Sequence, residues 1–360
     1  MKKKILLIES VMHFWQIPEL HKLFSKNFDC HVLIPKKSRH LVSLKNDIIT
    51  SPLRLFIFFH AILIGKKYDY IYLVTSPEYP EYPTNLKTFF EYFQQLFVFL
   101  ILTFFFRKKL ILYVRGIYRL IPEIHPPKKK FYIYLRKKIF FMVNRFVCEN
   151  KNLENIFREK FPKGEKKIYL TTLYTRFFDP EEKIKKKLNK DLLTIGILEA
   201  IDPIRKDYDI IYDFVRRNKT KIKLIFLGKK YKKLSDPVLK KFSNFNLITK
   251  DYLTDKDFIE LGSQCDILLS LNKEGKLYGS FKGTGSYGDA LKLQQILISP
   301  VSTDPIKEFS KFTLYYNNKD ELEDILEKFF YNRNIFKPDF PKFSIDELRE
   351  KSYRELNLNN

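Results

Sequence analysis

The chain has 360 residues, 45% of them apolar and 30% charged, with a formal net charge of +24. That length predicts two to three domains at about 150 residues each, and the composition excludes both a disordered tail and a many-pass membrane protein. Three cysteines, Cys30, Cys148 and Cys265, lie in apolar runs, which excludes a disulfide scaffold or a zinc ribbon and predicts packed thiols in a reducing compartment. The apolar run that begins at Ile5 stops at Glu9, too short for a signal peptide. A cytoplasmic location is expected.

Short apolar runs alternate with longer helical stretches, the pattern of an α/β architecture. In the first half, strands are predicted at 3–9, 30–34, 69–74, 109–114, 145–149 and 167–170, and helices at 16–26, 53–64, 86–106, 128–143 and 151–160. The stretch 171–190 is polar and reads as a connection between domains. The alternation restarts with strands at 191–198, 223–228, 246–249, 266–271 and 295–299, and helices at 205–218, 234–242, 255–261, 288–294 and 319–333. A final amphipathic helix at 344–355 has no evident place in the second sheet. Two successive doubly wound domains are expected, 1–175 and 176–340, followed by a C-terminal segment 341–360.

Charge divides with the domains. Residues 1–175 hold 31 Lys and Arg against 13 Asp and Glu, whereas residues 176–360 hold 35 against 29. The first half therefore prefers an anionic surface. Within it, the apolar stretch of 86–106 is too short to span a bilayer and is interrupted by Glu91, Gln94 and Gln95. It reads either as a buried crossover helix or as a helix lying in a membrane interface.

Glycine is concentrated where chemistry is expected. Five of the 11 glycines (Gly275, Gly279, Gly283, Gly285 and Gly288) fall within 14 residues, between the strand ending DILLSL and a helix. Glycine lets a ligand approach backbone N–H groups, and a helix amino end beyond it favours a phosphate. The alternative is a mobile surface loop. Neither the dinucleotide fingerprint nor the Walker pattern is present, so hydride transfer and ATP hydrolysis gain no support. Arg205 and Lys206 open the helix predicted at 205–218, where the dipole disfavours cations. They are either a solvated pair or contacts to a phosphorylated ligand.

The segment DALKLQQILIS (289–299) resembles, without gaps, the acidic-helix segment of GT-B glycosyltransferases like those of family four. Asp289 stands where that family has the glutamate that binds the donor ribose. The stretch from Gly196 to Arg205–Lys206 resembles the family's other donor motif. The resemblance covers most of 191–300. It departs from the pattern at Gln294 and Ile296, where glycine and proline are usual, and at Phe281, where a second glutamate is usual. It implies two Rossmann-like domains facing a central cleft, with the final helix crossing back to the first domain. It also implies sugar transfer with retention from a nucleotide-diphosphate sugar, requiring no metal or other cofactor. The donor residues it implies are Gly196, Arg205, Lys206, Glu274, Lys282, Gly283, Thr284, Gly285, Ser286, Tyr287 and Asp289. Arg205 and Lys206 would also act on the departing diphosphate. His13 after the first strand and Arg115 after the fourth are the candidates on the acceptor side.

The expected function is a glycosyltransferase of bacterial surface polysaccharide synthesis, peripheral to the inner face of the cell membrane. Its expected partners are a nucleotide sugar, a glycan or lipid-linked acceptor and an anionic membrane surface. A nucleotide-sugar epimerase of the same fold is the alternative enzyme. A catalytically inactive partner of a transferase is a further possibility. A nucleic-acid-binding protein is suggested by charge alone, without a module signature, and nucleic acid is not expected as a partner.

Overall fold

The structure, a computed structural model, describes residues 2–9, 16–42, 44, 46–52, 56–74, 97, 99–121, 127–161, 168–173, 191–231, 233–251, 253–274, 278–341 and 345–358. The chain divides into two compact units. The first comprises Met1–Thr175 with Ile345–Asn360, and the second Arg176–Ser344.

The first unit is built on seven parallel strands: β1 (Lys3–Ile8), β2 (Phe28–Pro35), β3 (Ile48–Ser51), β4 (Tyr70–Leu73), β5 (Leu110–Val114), β6 (Arg145–Cys148) and β7 (Tyr169–Thr172). Their order is β3-β2-β1-β4-β5-β6-β7. Register is set by apolar rows, with Ile5 opposite Cys30 on one side and Tyr70 on the other. Strands β4 and β5 are buried along their whole length, as expected where helices cover both faces of a parallel sheet.

The second unit holds β8 (Leu193–Leu198), β9 (Ile222–Leu227), β10 (Asn246–Ile248), β11 (Ile267–Leu269), β12 (Leu297–Pro300) and β13 (Thr313–Tyr316), again all parallel. Their order is β10-β9-β8-β11-β12-β13, a doubly wound arrangement that reverses direction between β8 and β11. Its core packs Ile195, Ile197, Leu224, Phe226, Ile267 and Ile298 against Ile211, Phe214, Leu322 and Leu326.

Helix ends follow local chemistry. Asn150 caps Lys151–Lys160 through its side chain, and Thr254 with Asp257 forms a capping box on Asp255–Gly262. The helix Ile345–Leu356 packs on the first unit. Arg349 Nε donates to the Leu23 carbonyl (2.6 Å), Tyr70 donates to the Leu358 carbonyl (3.0 Å), and the Tyr353 ring meets Phe28 edge-on. All three cysteines are free and buried. Burial, with Asp47 and Asp29 nearby, pushes the Cys30 thiol up to about 12.

Three expectations are corrected. Strands β3 and β13 were not anticipated. The polar stretch 171–190 begins inside β7, with Thr171 and Thr172 paired to Val147 and Cys148; residues 174–190 lie outside the described residues. The helix expected at 205–218 starts only with a 3-10 turn at Asp209–Ile211 and continues as Tyr212–Arg217. Among the described residues, no helix is long and apolar enough to cross a membrane.

Candidate functional site

In an open parallel sheet the crevice for a ligand lies beyond the carboxyl ends of the strands, where the strand order reverses. In the second unit that point is flanked by Glu199, directly after β8, and by Ser270–Asn272, after β11. Glu199 has a left-handed backbone (φ 67°). Its carbonyl passes so close to Gly228 that a Cβ there would lie 1.6 Å from the oxygen. Only glycine fits after β9 while Glu199 keeps this course.

A buried polar network grows from that carboxylate. Lys206 Nζ lies 2.6 Å from Glu199 Oε2, with the lysine side chain 1% exposed and the glutamate 18%. Lys206 also donates to Asn272 Oδ1 at 3.4 Å. The other carboxylate oxygen accepts from Ser286 (2.8 Å) and from Thr284. Burial alone would raise the Glu199 carboxyl, but Lys206 and the two hydroxyls outweigh it and hold it at about 2. Glu199 is therefore an anion at neutral pH, set directly against the Lys206 side chain.

The residues between Glu199 and Lys206 fold as a tight turn around Asp202. Its carbonyl accepts from the Arg205 and Lys206 amides at 3.2 and 3.0 Å. Its side chain accepts from the Ile204 amide (3.0 Å) and from Arg205 Nε (2.5 Å), the local bonding that favours Asp in turns. This turn is fastened to the segment after β11, because Asp207 donates to the Leu271 carbonyl and Lys273 to that of Arg205, each at 2.9 Å.

The glycine-rich loop meets the turn at Tyr278. Arg205 Nη1 donates to the Tyr278 hydroxyl at 3.3 Å, and Lys282 Nζ sits 4.8 Å above the Tyr278 ring centre. Two cations 77 positions apart thus converge on one tyrosine. Gly279 makes the loop possible, with φ 77° and with the Ser302 carbonyl 2.0 Å from where a Cβ would stand. Behind the loop the helix Ser286–Leu293 begins, with Gly285 at its cap position and Asp289 partly exposed in its first turn.

Several expected site residues have other surroundings. Gly196 lies in the middle of β8, where a Cβ would meet Cys265 Sγ at 2.7 Å; it is a packing residue. Lys206 opens no helix, and its charge is taken up by Glu199. The Thr284 and Ser286 hydroxyls turn to that same carboxylate. Tyr287 is a core residue, stacked on Phe309 at 4.3 Å and bonded to Thr303 at 2.7 Å. Gly283 is buried and Glu274 exposed. His13 lies outside the described residues. Arg115, in the first unit, pairs with buried Glu149 at 2.8 Å. Sequence reasoning missed Glu199. Its signal was an acid placed directly after an apolar strand, seven residues before a lysine.

This arrangement, with two doubly wound parallel sheets in succession, is the GT-B class of fold. Among solved structures, the chain is similar to an Anabaena protein, Alr3699/HepE, in complex with UDP and glucose (TM-score 0.65, 13% identity, 99% of each chain covered). It is also similar to the S. aureus MnaA–UDP complex (0.58, 13% identity, 99% and 98% covered). A UDP-forming α,α-trehalose-phosphate synthase from Burkholderia vietnamiensis matches at 0.55 and 5% identity over 100% and 96% of the chains. Likeness at these identities is one of fold. No protein-family model matches the chain, and neither does any curated protein.

Proposed function

We propose that the chain is a nucleotide-sugar-dependent GT-B enzyme, a glycosyltransferase whose second unit binds the nucleotide-diphosphate donor. The convergence of Arg205 and Lys282 on Tyr278, beside the amino end of the helix Ser286–Leu293, carries this reading. A diphosphate seated there gains two cations and the positive end of a helix dipole. As an acceptor hydroxyl oxygen bonds to the anomeric carbon, the bond from that carbon to the diphosphate breaks, its electron pair leaves with the diphosphate, and the hydroxyl proton passes to the leaving phosphate oxygen. Fixed cations stabilise that developing charge. Asp289 accepts from the donor ribose hydroxyls. Lys206 acts indirectly, holding Glu199 and so the two segments that carry Arg205 and Thr284. No metal is needed in this scheme, and retention is expected from the resemblance of 191–300 to family four.

The acceptor is a glycan or lipid-linked glycan of bacterial surface polysaccharide synthesis, contacted from the first unit by Arg115, at the inner face of the cell membrane. Calorimetry of the full chain with UDP tests the donor reading. Arg205→Ala and Lys282→Ala should each weaken binding at least about tenfold, the loss of one charge-assisted contact. A chain that binds no nucleoside diphosphate overturns it. The names of two further neighbours, both UDP-N-acetylglucosamine 2-epimerases, favour a second reading. Inversion at C2 of UDP-N-acetylglucosamine without any acceptor, followed by NMR, would establish it instead.

A further inference from the structure

Large exposed apolar side chains are not scattered over the first unit. Among its described residues they are Phe56, Phe59, Leu63, Phe97, Leu100, Phe104, Phe105 and Tyr134. Seven belong to two helical segments, Phe56–Gly65 and the helical residues within 97–106, and Tyr134 lies on the helix Pro127–Phe140. Right-handed crossovers put the β3–β4 and β4–β5 connections on one face of the sheet. The two segments touch, since a Cβ on Gly65 would lie 2.9 Å from Phe106 Cζ.

Both segments are mostly apolar, with His60 in the first and Thr103 in the second, yet each buries only one side. In the first, Ile57, Ala61 and Gly65 face inward, and Phe56, Phe59 and Leu63 face outward. In the second, Phe99, Leu102, Thr103 and Phe106 are buried, whereas Phe97, Leu100, Phe104 and Phe105 are exposed. Phe56, Phe59 and Leu63, like Phe97, Leu100 and Phe104, have the spacing i, i+3, i+7, one stripe of an α-helix, and Phe105 widens the second stripe. Leu63 is 77% and Phe104 68% exposed, which folding within the unit does not explain. Both segments run directly into exposed cations: Lys66 and Lys67 after the first, Arg107 and Lys108 after the second.

We infer that this face docks on an anionic lipid bilayer, with the two aromatic rows inserted among the acyl chains and the four cations at the phosphate level. This deepens the membrane-face reading above. Charge complementarity selects the occupant: 31 basic against 13 acidic residues in 1–175 suit anionic headgroups and oppose a second copy of the same cationic face. Insertion distinguishes this mode from simple electrostatic adhesion. Apolar burial persists in salt, whereas surface attraction falls with the Debye length.

Flotation of the full chain with vesicles of phosphatidylglycerol and phosphatidylcholine tests this. Binding should require the anionic lipid and should persist in part at about 0.5 M salt. Phe59→Asp with Phe104→Asp should reduce partitioning at least about tenfold, with the melting temperature unchanged because both side chains are exposed. Replacing Lys66, Lys67, Arg107 and Lys108 by Gln should cost at least about tenfold at low salt. Phe104→Trp should shift its emission to the blue on vesicle addition and be quenched by brominated acyl chains. Vesicle binding without that quenching, or unaffected by the double Asp variant, overturns the proposal. So does a concentration-dependent dimer that the Asp variant disperses, because a second copy would then cover the face. UDP titration of the same variants separates this outcome from the donor reading, since their donor affinity should equal that of the parent chain.

Discussion

Lys206 and Arg205 are neighbours in sequence with opposite physical situations. Lys206 is sealed against Glu199, whereas Arg205 is 36% exposed and reaches Tyr278. Lys206→Met leaves a carboxylate without its cation, which typically costs about 3–5 kcal/mol. Adding Glu199→Gln should recover most of that loss, and urea unfolding of the single and double variants measures both. Arg205→Ala should leave the unfolding midpoint nearly unmoved while donor affinity falls. The depressed Glu199 carboxyl also sets a pH window. Its pKa is about 2 in the folded chain and roughly 4.3 in an unfolded one. Its contribution is therefore complete above the unfolded value and is lost as pH falls through that window toward 2. Glu199→Gln should flatten this part of the stability profile. Asp289 is the fourth residue of its helix, so Gly285 and not Asp289 occupies the cap position. Asp289→Asn should thus cost little stability. Calorimetry should nonetheless find UDP bound several-fold more weakly, and unchanged affinity would exclude Asp289 from the donor site.

The helix Ser286–Leu293 ends on Gln294 in the left-handed region, φ 49° and ψ 46°. Glycine is favoured at such a position because a side chain there costs about 1–2 kcal/mol. Gln294→Gly should stabilise the chain by about 1 kcal/mol, read as a higher denaturant midpoint with an unchanged slope. Residue 294 is also where the family pattern has its glycine, so the backbone geometry was legible in the resemblance even though the residue differs. The two sheets were legible because runs such as ILLI (5–8) and LIFLG (224–228) are buried on both faces and need no alternation. Strands β3 and β13 were not, since both are edge strands of four residues with partly exposed side chains. Their apolar signal is weak for that reason. The glycine cluster marked the loop correctly because Gly279 needs its φ locally. The turn at 202–206 was misread as a helix start because Asp202 satisfies the same amides that a helix cap would.

At the scale of the whole chain the two halves differ in charge, 31 basic against 13 acidic residues in 1–175 and 35 against 29 in 176–360. On the donor reading proposed above, UDP should protect amides at 199–207 and 278–289 from hydrogen exchange. At 100 times its dissociation constant UDP should also add about 2.7 kcal/mol of stability. Protection confined to the first unit would contradict the assignment of the site.

The helix Ile345–Leu356 closes the first unit from far along the chain, through Arg349, Tyr353 and Leu358. On a ribosome, Phe24, Phe28 and Tyr70 emerge long before it. At about 5–20 residues per second, the intervening stretch takes roughly fifteen to sixty seconds to synthesise. During that interval the nascent first unit shows an uncovered aromatic surface to chaperones and to its neighbours on the polysome. A ribosome stalled at residue 344 should therefore hold a first unit that proteases still cut, and one released beyond 358 a unit that resists them. The order of translation thus places the whole second unit before the segment that completes the first.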